Sequence, residues 1–410
     1  MRYRSYDAAH DRDAAFRIWR EVGWVRDDKE TGPFDCFTSL DSALVADLDG
    51  SPECMVLSTM GDVRHLSGSL PLWCIHGVTT SRIARKQGLA GRLTAAAVAE
   101  GALRGAAVAG LGMFEQGYYT RLGFGTGSHE IRLTFDPAYL TVDARARVPR
   151  RITRDDWELV HAGRLARRRG HGSCSMICPL TTKGEMLWAP NGFGLGYCDG
   201  PDGELTHHLW LGTDNVDHGP YWVGWLSYQT PEQFLELMAL LRGLGDQVHS
   251  VILVEPPAYQ LQDLLRMPFR EHEVRGDGRY KVTAEARAWW QMRICDLEAC
   301  LAHTELSGPE LSFNLVLSDP IESFLAADSP WRGIGGQYVV TLGPRSEAHR
   351  GTEGGLPVLH ASVGAFTRLW LGVRTAGGLA VTDELSAPLE LLTALEEAIR
   401  LPSPRPDWDF

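Results

Sequence analysis

One stretch limits the topology more than any other. A strand-like run, LWCIHGVTT at 72–80, passes through the glycine- and cation-bearing loop ARKQGLAGRL at 84–93 into an alanine- and leucine-rich run that favours helix. Upstream, DAAHDRDAAFRIWREVGW groups Ala14, Phe16, Ile18 and Trp19 as on a helix. Between them, SALVADLDGSPECMVLST reads as two strands about Asp49-Gly50, a strong hairpin signal. The next apolar run, AAVAGLGMF at 106–114, is a strand candidate. The order is therefore helix, antiparallel strands, loop, helix, strand.

Near residue 150 the segment VPRRITRDDWELV starts again, with Thr153 or Asp155 able to cap a helix. Strands at GFGLGYC, ELTHHLWLG and YWVGWLSYQ follow, then a helix opened by Thr230-Pro231-Glu232 and a strand at SVILVEP. The repetition lies in the order of elements, not in the letters. WWQMRICDLEACLAH then begins a third unit of strands and helices. The expected fold class is α/β (α+β), in three units at 1–150, 151–290 and 291–410; 410 residues exceed what one core usually organises.

No apolar run approaches the roughly 20 residues of a membrane span, and the N-terminal MRYRSYDAAHDRDAAF lacks the apolar core of a signal peptide. A cytoplasmic location is the expectation, and eight scattered cysteines suit buried thiols in a reducing compartment. A net charge of −12 argues against a general affinity for nucleic acid and mildly favours cationic small molecules. The dense basic patch RLARRRG at 164–170 reads as the solvated end of a helix.

A loop of pattern Arg-x-x-Gly-x-Ala between strand and helix offers a phosphate several backbone N–H groups, a favourable helix dipole and nearby cations. Here these are Arg85, Lys86, Gly88 and Ala90. With the preceding strand, the following helix and the segment EQGYYTRLGFG, the loop resembles that of the Gcn5-related N-acetyltransferases, in which it binds the pyrophosphate of acetyl-CoA. That resemblance implies acetyl-CoA as co-substrate, held by Val78, Thr79, Arg85, Lys86, Gln87, Gly88, Leu89, Ala90 and Gly91. It also implies that the strand Ile75 to Thr79 splays from its neighbour and pairs with the pantetheine arm.

GVTTSRIARKQGLAGRL, GYYTRLGFG, LSFNLVLSDP, ASVGAFTRLWLG and a terminal aromatic together resemble, over the whole chain, the enhanced intracellular survival (Eis) type of acetyltransferase. This implies tandem acetyltransferase-like domains, each a mixed central sheet flanked by helices, then a sterol-carrier-like domain, in a homo-oligomer of six subunits or fewer. The second domain has WLSYQTPEQFLEL where the loop would stand, without glycine or flanking cations, and is expected to be catalytically silent.

Transfer of acetyl from a thioester to an amine needs an unprotonated amine, a stabilised oxyanion and a proton for the departing thiolate. The resemblance gives the thiolate's proton to Tyr119, with Tyr118 the neighbour most easily confused with it. A phenol near 10 facing a thiol near 8.5 makes that transfer uphill by about 1.5 units, about 2 kcal/mol. It gives the base's role to the terminal carboxylate of Phe410, with Trp408 and Phe410 anchoring the tail. A carboxyl near 3.5 facing an ammonium near 10.4 leaves about 7 units, so the proton must move late, as the C–N bond forms, or through water. Where the family often has serine before the glutamate, this chain has Phe114 before Glu115, removing one hydroxyl contact to the cofactor. The oxyanion donor is expected to be a backbone N–H near Val78.

The acceptor is expected to be a cationic small-molecule amine, aminoglycoside-, polyamine- or lysine-like, held by Trp24, Asp27, Asp28, Phe34 and Asp35 after the first helix. Neither nucleic acid, membrane nor metal is expected. CSMIC at 174–178 lacks the usual two-residue ligand spacing, NGFGLGYCDG has no strand before it or helix after it, and His207-His208 alternate across a strand. The competing reading is a carrier that binds acyl-CoA and lipid without turnover.

Overall fold

The computed structural model describes residues 2–25, 31–266 and 283–410. The chain opens with β1 (Arg2–Ser5), α1 (Ala8–Glu21), α2 (Thr31–Thr38), β2 (Ser42–Leu48), β3 (Ser51–His65) and β4 (Gly68–Thr80). It continues through α3 (Leu89–Leu103), β5 (Val108–Gly112), β6 (Gly125–Thr126) and β7 (Glu130–Phe135). Next come β8 (Arg150–Ile152), α4 (Trp157–Leu165), β9 (Cys174–Met176), α5 (Pro179–Trp188), β10 (Phe193–Tyr197), β11 (His207–Gly212), β12 (Tyr221–Ser227), α6 (Pro231–Gly243) and β13 (Val251–Val254). After β14 (Thr283–Arg287) and β15 (Trp290–Ile294) come α7 (Leu297–Ala302), β16 (Leu311–Ser318), β17 (Gly336–Leu342), β18 (Glu347–Arg350), β19 (Val358–Ser362), α8 (Val363–Trp370), α9 (Ala376–Thr382), β20 (Leu385–Ser386) and α10 (Leu389–Ala398).

The local signals act where the sequence places them. Asp49 and Gly50 both take positive φ, 51° and 84°, the pair of left-handed residues a two-residue hairpin needs to match strand twist. Thr153 and Asp156 form a capping box ahead of α4, and Thr230 and Gln233 form one ahead of α6.

Three mixed or antiparallel sheets result. The first runs β1-β2-β3-β4-β5-β15-β6, with β9 added beside β3; the second runs β14-β7-β13-β12-β11-β10-β8; the third runs β18-β17-β16-β19-β20. The sheets do not divide at residues 150 and 290. β7 leaves the first unit to lie between β13 and β14 of the second sheet, while β15 enters the first sheet between β5 and β6. One apolar cluster accordingly runs from Val63, Leu72 and Val108 through Met292 to Phe313, Leu359 and Trp370, joining the third sheet to the first.

The basic patch departs from expectation. Arg164 and Arg167 are 3% and 8% exposed, not solvated. Arg164 pairs with Glu185 and stacks 3.7 Å from the Trp408 ring, while Arg167 pairs with Asp407 at 2.7 Å. These cations hold the chain's last residues, a long-range partner that a local reading of a helix end cannot supply.

Candidate active site

The site begins with a strand that loses its neighbour. β4 and β5 are parallel and paired from Leu72 opposite Val108 to Ile75 opposite Leu111, where pairing stops, though β4 continues to Thr80 against β3. On that other edge Leu57 faces His76 and Met55 faces Thr79, so three steps on β4 oppose two on β3. This bulge bends β4 away from β5. Gly77 permits it, with φ of +56° and with a Cβ there falling 2.9 Å from Leu57 Cδ1. The sheet therefore opens between residues 76–80 and the end of β5, the splay expected of Ile75 to Thr79, with Val78 and Thr79 on its wall.

Beyond β4 the loop turns into α3. Lys86 and Gly88 take φ of +64° and +78°, and Gly88 is an N-cap with no side-chain cap bond. The first helical bond closes from Arg92 N to Gly88 O, so the N–H groups of Leu89, Ala90 and Gly91 have no partner within α3. Arg85, Lys86, Gln87 and Gly88 are exposed around them, with Gln87 donating to Ile83 O at 3.2 Å. Alternating left-handed residues, free N–H groups and two cations fit a diphosphate. A third cation comes from a segment distant in sequence: a Cβ on Gly91 would lie 3.5 Å from Arg121 Nη2. Arg121 also stacks 4.3 Å from the Tyr118 ring. Its place beside α3 follows from the return of 114–124 across the sheet end, which no local pattern encodes.

Tyr119 and Tyr118 separate clearly. Tyr119 is 1% exposed and shares a core cluster with Ala109 and Leu111, with Phe124 and Tyr118 edge-on at 6.2 and 4.9 Å. Tyr118 is half-buried. The segment is fixed by Arg293, which donates to Leu122 O and to Asp319 at 2.7 Å in a pair 0% and 2% exposed. Burial pushes the Tyr119 phenol above its ordinary value, with the Tyr118 and Cys54 charges adding to it. The same burial raises the Cys54 thiol to about 11.

The chain end lies on the other face of β5. A Cβ on Gly110 would sit 3.2 Å from the Phe410 ring, and one on Gly112 would sit 3.5 Å from the Phe410 carbonyl oxygen. Trp289 flanks it, 5.9 Å between ring centres, with its indole N–H donated to Glu130. Glu130 is buried, and desolvation raises its carboxyl to about 7, opposed by the Trp289 bond and assisted by the charges of Asp409 and Asp407. Upstream, Cys174 N donates to Pro406 O at 2.7 Å, and the Trp408 indole, 3% exposed, donates to Glu185 at 3.1 Å.

The residues expected to hold an acceptor do not act together. Phe34 is fully enclosed, edge-on to Phe16 and Trp19 at 5.3 and 4.9 Å, so it is core between α1 and α2 and touches no ligand. The Asp35 carboxylate is taken in a two-point pair by Arg12 at 2.9 and 2.8 Å. α2 turns Phe34 inward, whereas Asp35 is half exposed and its carboxylate already has a cation. Asp27 and Asp28 lie outside the described residues. Trp24 remains 36% exposed beside Trp19 and Trp188, at 5.3 and 6.4 Å. Trp188, on α5, is 40% exposed and stacks on Trp19, so the second unit supplies half of an aromatic surface that the sequence showed only in part. Phe114, where serine was missed, is 75% exposed. Among the described residues no group of three or more His, Cys, Asp or Glu could hold a metal ion.

No protein-family model matches the chain, and no curated protein matches it. Solved structures do match over its full length. A conserved protein of unknown function from Enterococcus faecalis V583 is 16% identical, with 100% of this chain and 99% of that one covered at a TM-score of 0.77. A GCN5-related N-acetyltransferase from Kribbella flavida is 17% identical over 100% and 98% at 0.74, and Eis1 from Mycobacterium abscessus is 16% identical over 100% of both chains at 0.75. From end to end, the chain has the mixed α/β fold of these GCN5-related N-acetyltransferase structures.

Proposed function

We propose that the protein is an N-acetyltransferase that takes acetyl from acetyl-CoA and gives it to a primary amine of a cationic small molecule. The observation that carries this reading is the opening between β4 and β5, with Tyr119 buried on one side and the chain end on the other. The free N–H groups of Leu89, Ala90 and Gly91, with Arg85, Lys86 and Arg121 around them, would hold the diphosphate and leave the thioester to reach the opening. The cofactor arm would extend along the unpaired edge of β4 at Val78 and Thr79.

The amine then attacks the thioester carbonyl. The new C–N bond leaves the nitrogen positively charged and the former carbonyl oxygen negative, and a backbone N–H near Val78 is our assignment for the oxyanion donor. As that charge collapses, the C–S bond breaks and sulfur takes the Tyr119 proton, while the terminal carboxylate of Phe410 draws a proton from nitrogen. One proton leaves nitrogen and one joins sulfur. The chain's net charge of −12 favours a cationic acceptor.

Release of free thiol from acetyl-CoA, measured with an untagged C-terminus across aminoglycosides, polyamines and lysine peptides, tests this. Release with cationic amines is the expected result. Acetyl-CoA binding with no release for any amine would overturn the transferase in favour of a carrier.

A further inference from the structure

His76 stands where the sheet opens, on the acceptor side. Along β4, Trp73 and Ile75 belong to the cluster around α3, so Leu72, Cys74 and His76 point to the opposite face. Phe410 occupies that face too: a Cβ on Gly110 would meet both Leu72 Cδ1 and the Phe410 ring, at 3.4 and 3.2 Å. The β4–β5 register runs Cys74 opposite Gly110 and Ile75 opposite Leu111. One further step puts His76 level with Gly112, where the Phe410 carbonyl oxygen lies. The imidazole and the chain end therefore flank the gap at one height, on one face.

One ring nitrogen is also without a partner. His76 is 8% exposed, and its Nε2 is buried with no hydrogen-bond partner among the described residues. A buried donor or acceptor left unmade destabilises the fold, so such an atom is tolerated where a ligand completes it. Its nearest aromatic neighbour, Phe37 at 6.5 Å, offers no hydrogen bond. Burial alone lowers its basicity, to about 4, with no charged side chain contributing; Asp35, also on α2, is held by Arg12. The imidazole is thus neutral at pH 7 and able to accept.

Building on the transferase reading above, but moving the base's role from the terminal carboxylate to the imidazole, we propose that His76 accepts the proton of the attacking amine, its positive charge then offset by the Phe410 carboxylate across the gap. The amine lone pair forms the C–N bond, one N–H proton passes to Nε2, and the imidazolium returns it to solvent after the product leaves. Sulfur takes its proton from Tyr119, so the sum over the two faces is unchanged. The imidazole and carboxylate form a pair in which the second group stabilises the charge on the first, and neither has to remove a proton from a free ammonium ion.

The test compares the unaltered protein with His76→Gln and His76→Ala on an alkylamine acceptor, with and without added imidazole. Acetyl-CoA binding and thermal melting are measured alongside. The expected result is a kcat lowered about 100-fold or more in both variants, with acetyl-CoA affinity kept and the turnover of His76→Ala partly restored by imidazole. Unchanged turnover by the folded variants, or a loss that imidazole does not restore in His76→Ala, overturns the assignment and leaves the transferase standing. Absence of thiol release from the unaltered protein overturns the transferase reading itself. Should both variants fail to fold, ¹⁵N spectra of the unaltered protein's histidines decide: acceptor binding beside CoA must shift the Nε2 of a neutral imidazole, and no response from any histidine overturns the proposal.

Discussion

Tyr119 and Phe410 stand on opposite faces of β5. Tyr119 packs with Ala109 and Leu111, whereas Phe410 lies against Gly110 and Gly112, and strand alternation sends those two pairs to opposite sides. A thioester held in the adjoining gap would thus meet a proton donor on one side and a proton acceptor on the other. Separation matters, because a carboxylate beside the phenol would raise its pKa further and weaken it as an acid.

Tyr119→Phe keeps the ring that fills the cluster and removes the proton. The expected effect is a kcat reduced about 100-fold or more, the usual reach of general acid catalysis, with acetyl-CoA affinity unchanged. Direct titration of acetyl-CoA beside steady-state rates checks it; collapse of affinity would show that Tyr119 holds the cofactor instead. Tyr118→Phe, altering the half-buried neighbour, should leave kcat within about twofold on the same reasoning.

Gly110 leaves room for the terminal ring. An added Cβ meets ring carbons at 3.2 and 3.3 Å, so Gly110→Ala requires a shift of a few tenths of an ångström, and Gly110→Val drives the ring out. Overpacking of this kind costs about 1–3 kcal/mol where the neighbour cannot move, less where a chain end can. The expectation is a modest loss of turnover for Ala and a large one for Val, acetyl-CoA binding intact. One residue appended after Phe410 should reproduce the Val result; full activity in the extended protein would rule out the terminal carboxylate.

The tail's grip can be measured separately from its chemistry. Arg167 bridges both Asp407 oxygens, at 2.7 and 3.2 Å, and also reaches Cys174 O and Ser175 Oγ. Arg167→Ala leaves Asp407 beside Asp409 without its cation, and breaking one side of such a buried pair costs about 3–5 kcal/mol. Arg167→Ala with Asp407→Asn should cost less than the sum of the two, since each removes the same bond. Urea unfolding of the four proteins gives the coupling, and strict additivity would place the tail's anchorage elsewhere.

Local chemistry made much of this legible. The Asp49-Gly50 hairpin, the caps at Thr153 and Thr230, and the strand-loop-helix at 72–103 each depend on residues adjacent in sequence. What stayed hidden depends on partners far away. Arg164 and Arg167 read as a solvated helix end because Trp408 and Asp407 lie some 240 residues on. Phe34 reads as a ligand because an aromatic after a helix looks alike whether it faces a cleft or a core, and Asp35 does because its partner Arg12 lies on another helix. His76, inside an unremarkable strand run, becomes visible only because β4–β5 pairing stops at Leu111 and leaves the ring beside a gap.

Buried histidines make the fold sensitive to acid in a defined direction. Desolvation lowers His65, His76 and His161 to about 4 and His208 to about 3, all from 6.5. Between pH 6.5 and 4 the unfolded chain binds these protons and the native one does not, so stability rises with pH across that window and is lost as pH falls. Each fully shifted group contributes a slope of about 1.4 kcal/mol per pH unit. Glu130 opposes them: with its carboxyl raised to about 7, the native state holds that proton between 4.5 and 7, and its contribution falls as pH rises. His171 and His207 are lowered as well, and Glu185 and Asp409 are raised like Glu130, so six imidazoles against three carboxyls leave the histidines dominant. The urea midpoint should therefore drop steeply between pH 6.5 and 5, and the drop should steepen in Glu130→Gln, which lacks the compensating carboxyl. A midpoint flat across that range would mean that the imidazoles are hydrated or already charged in the native protein.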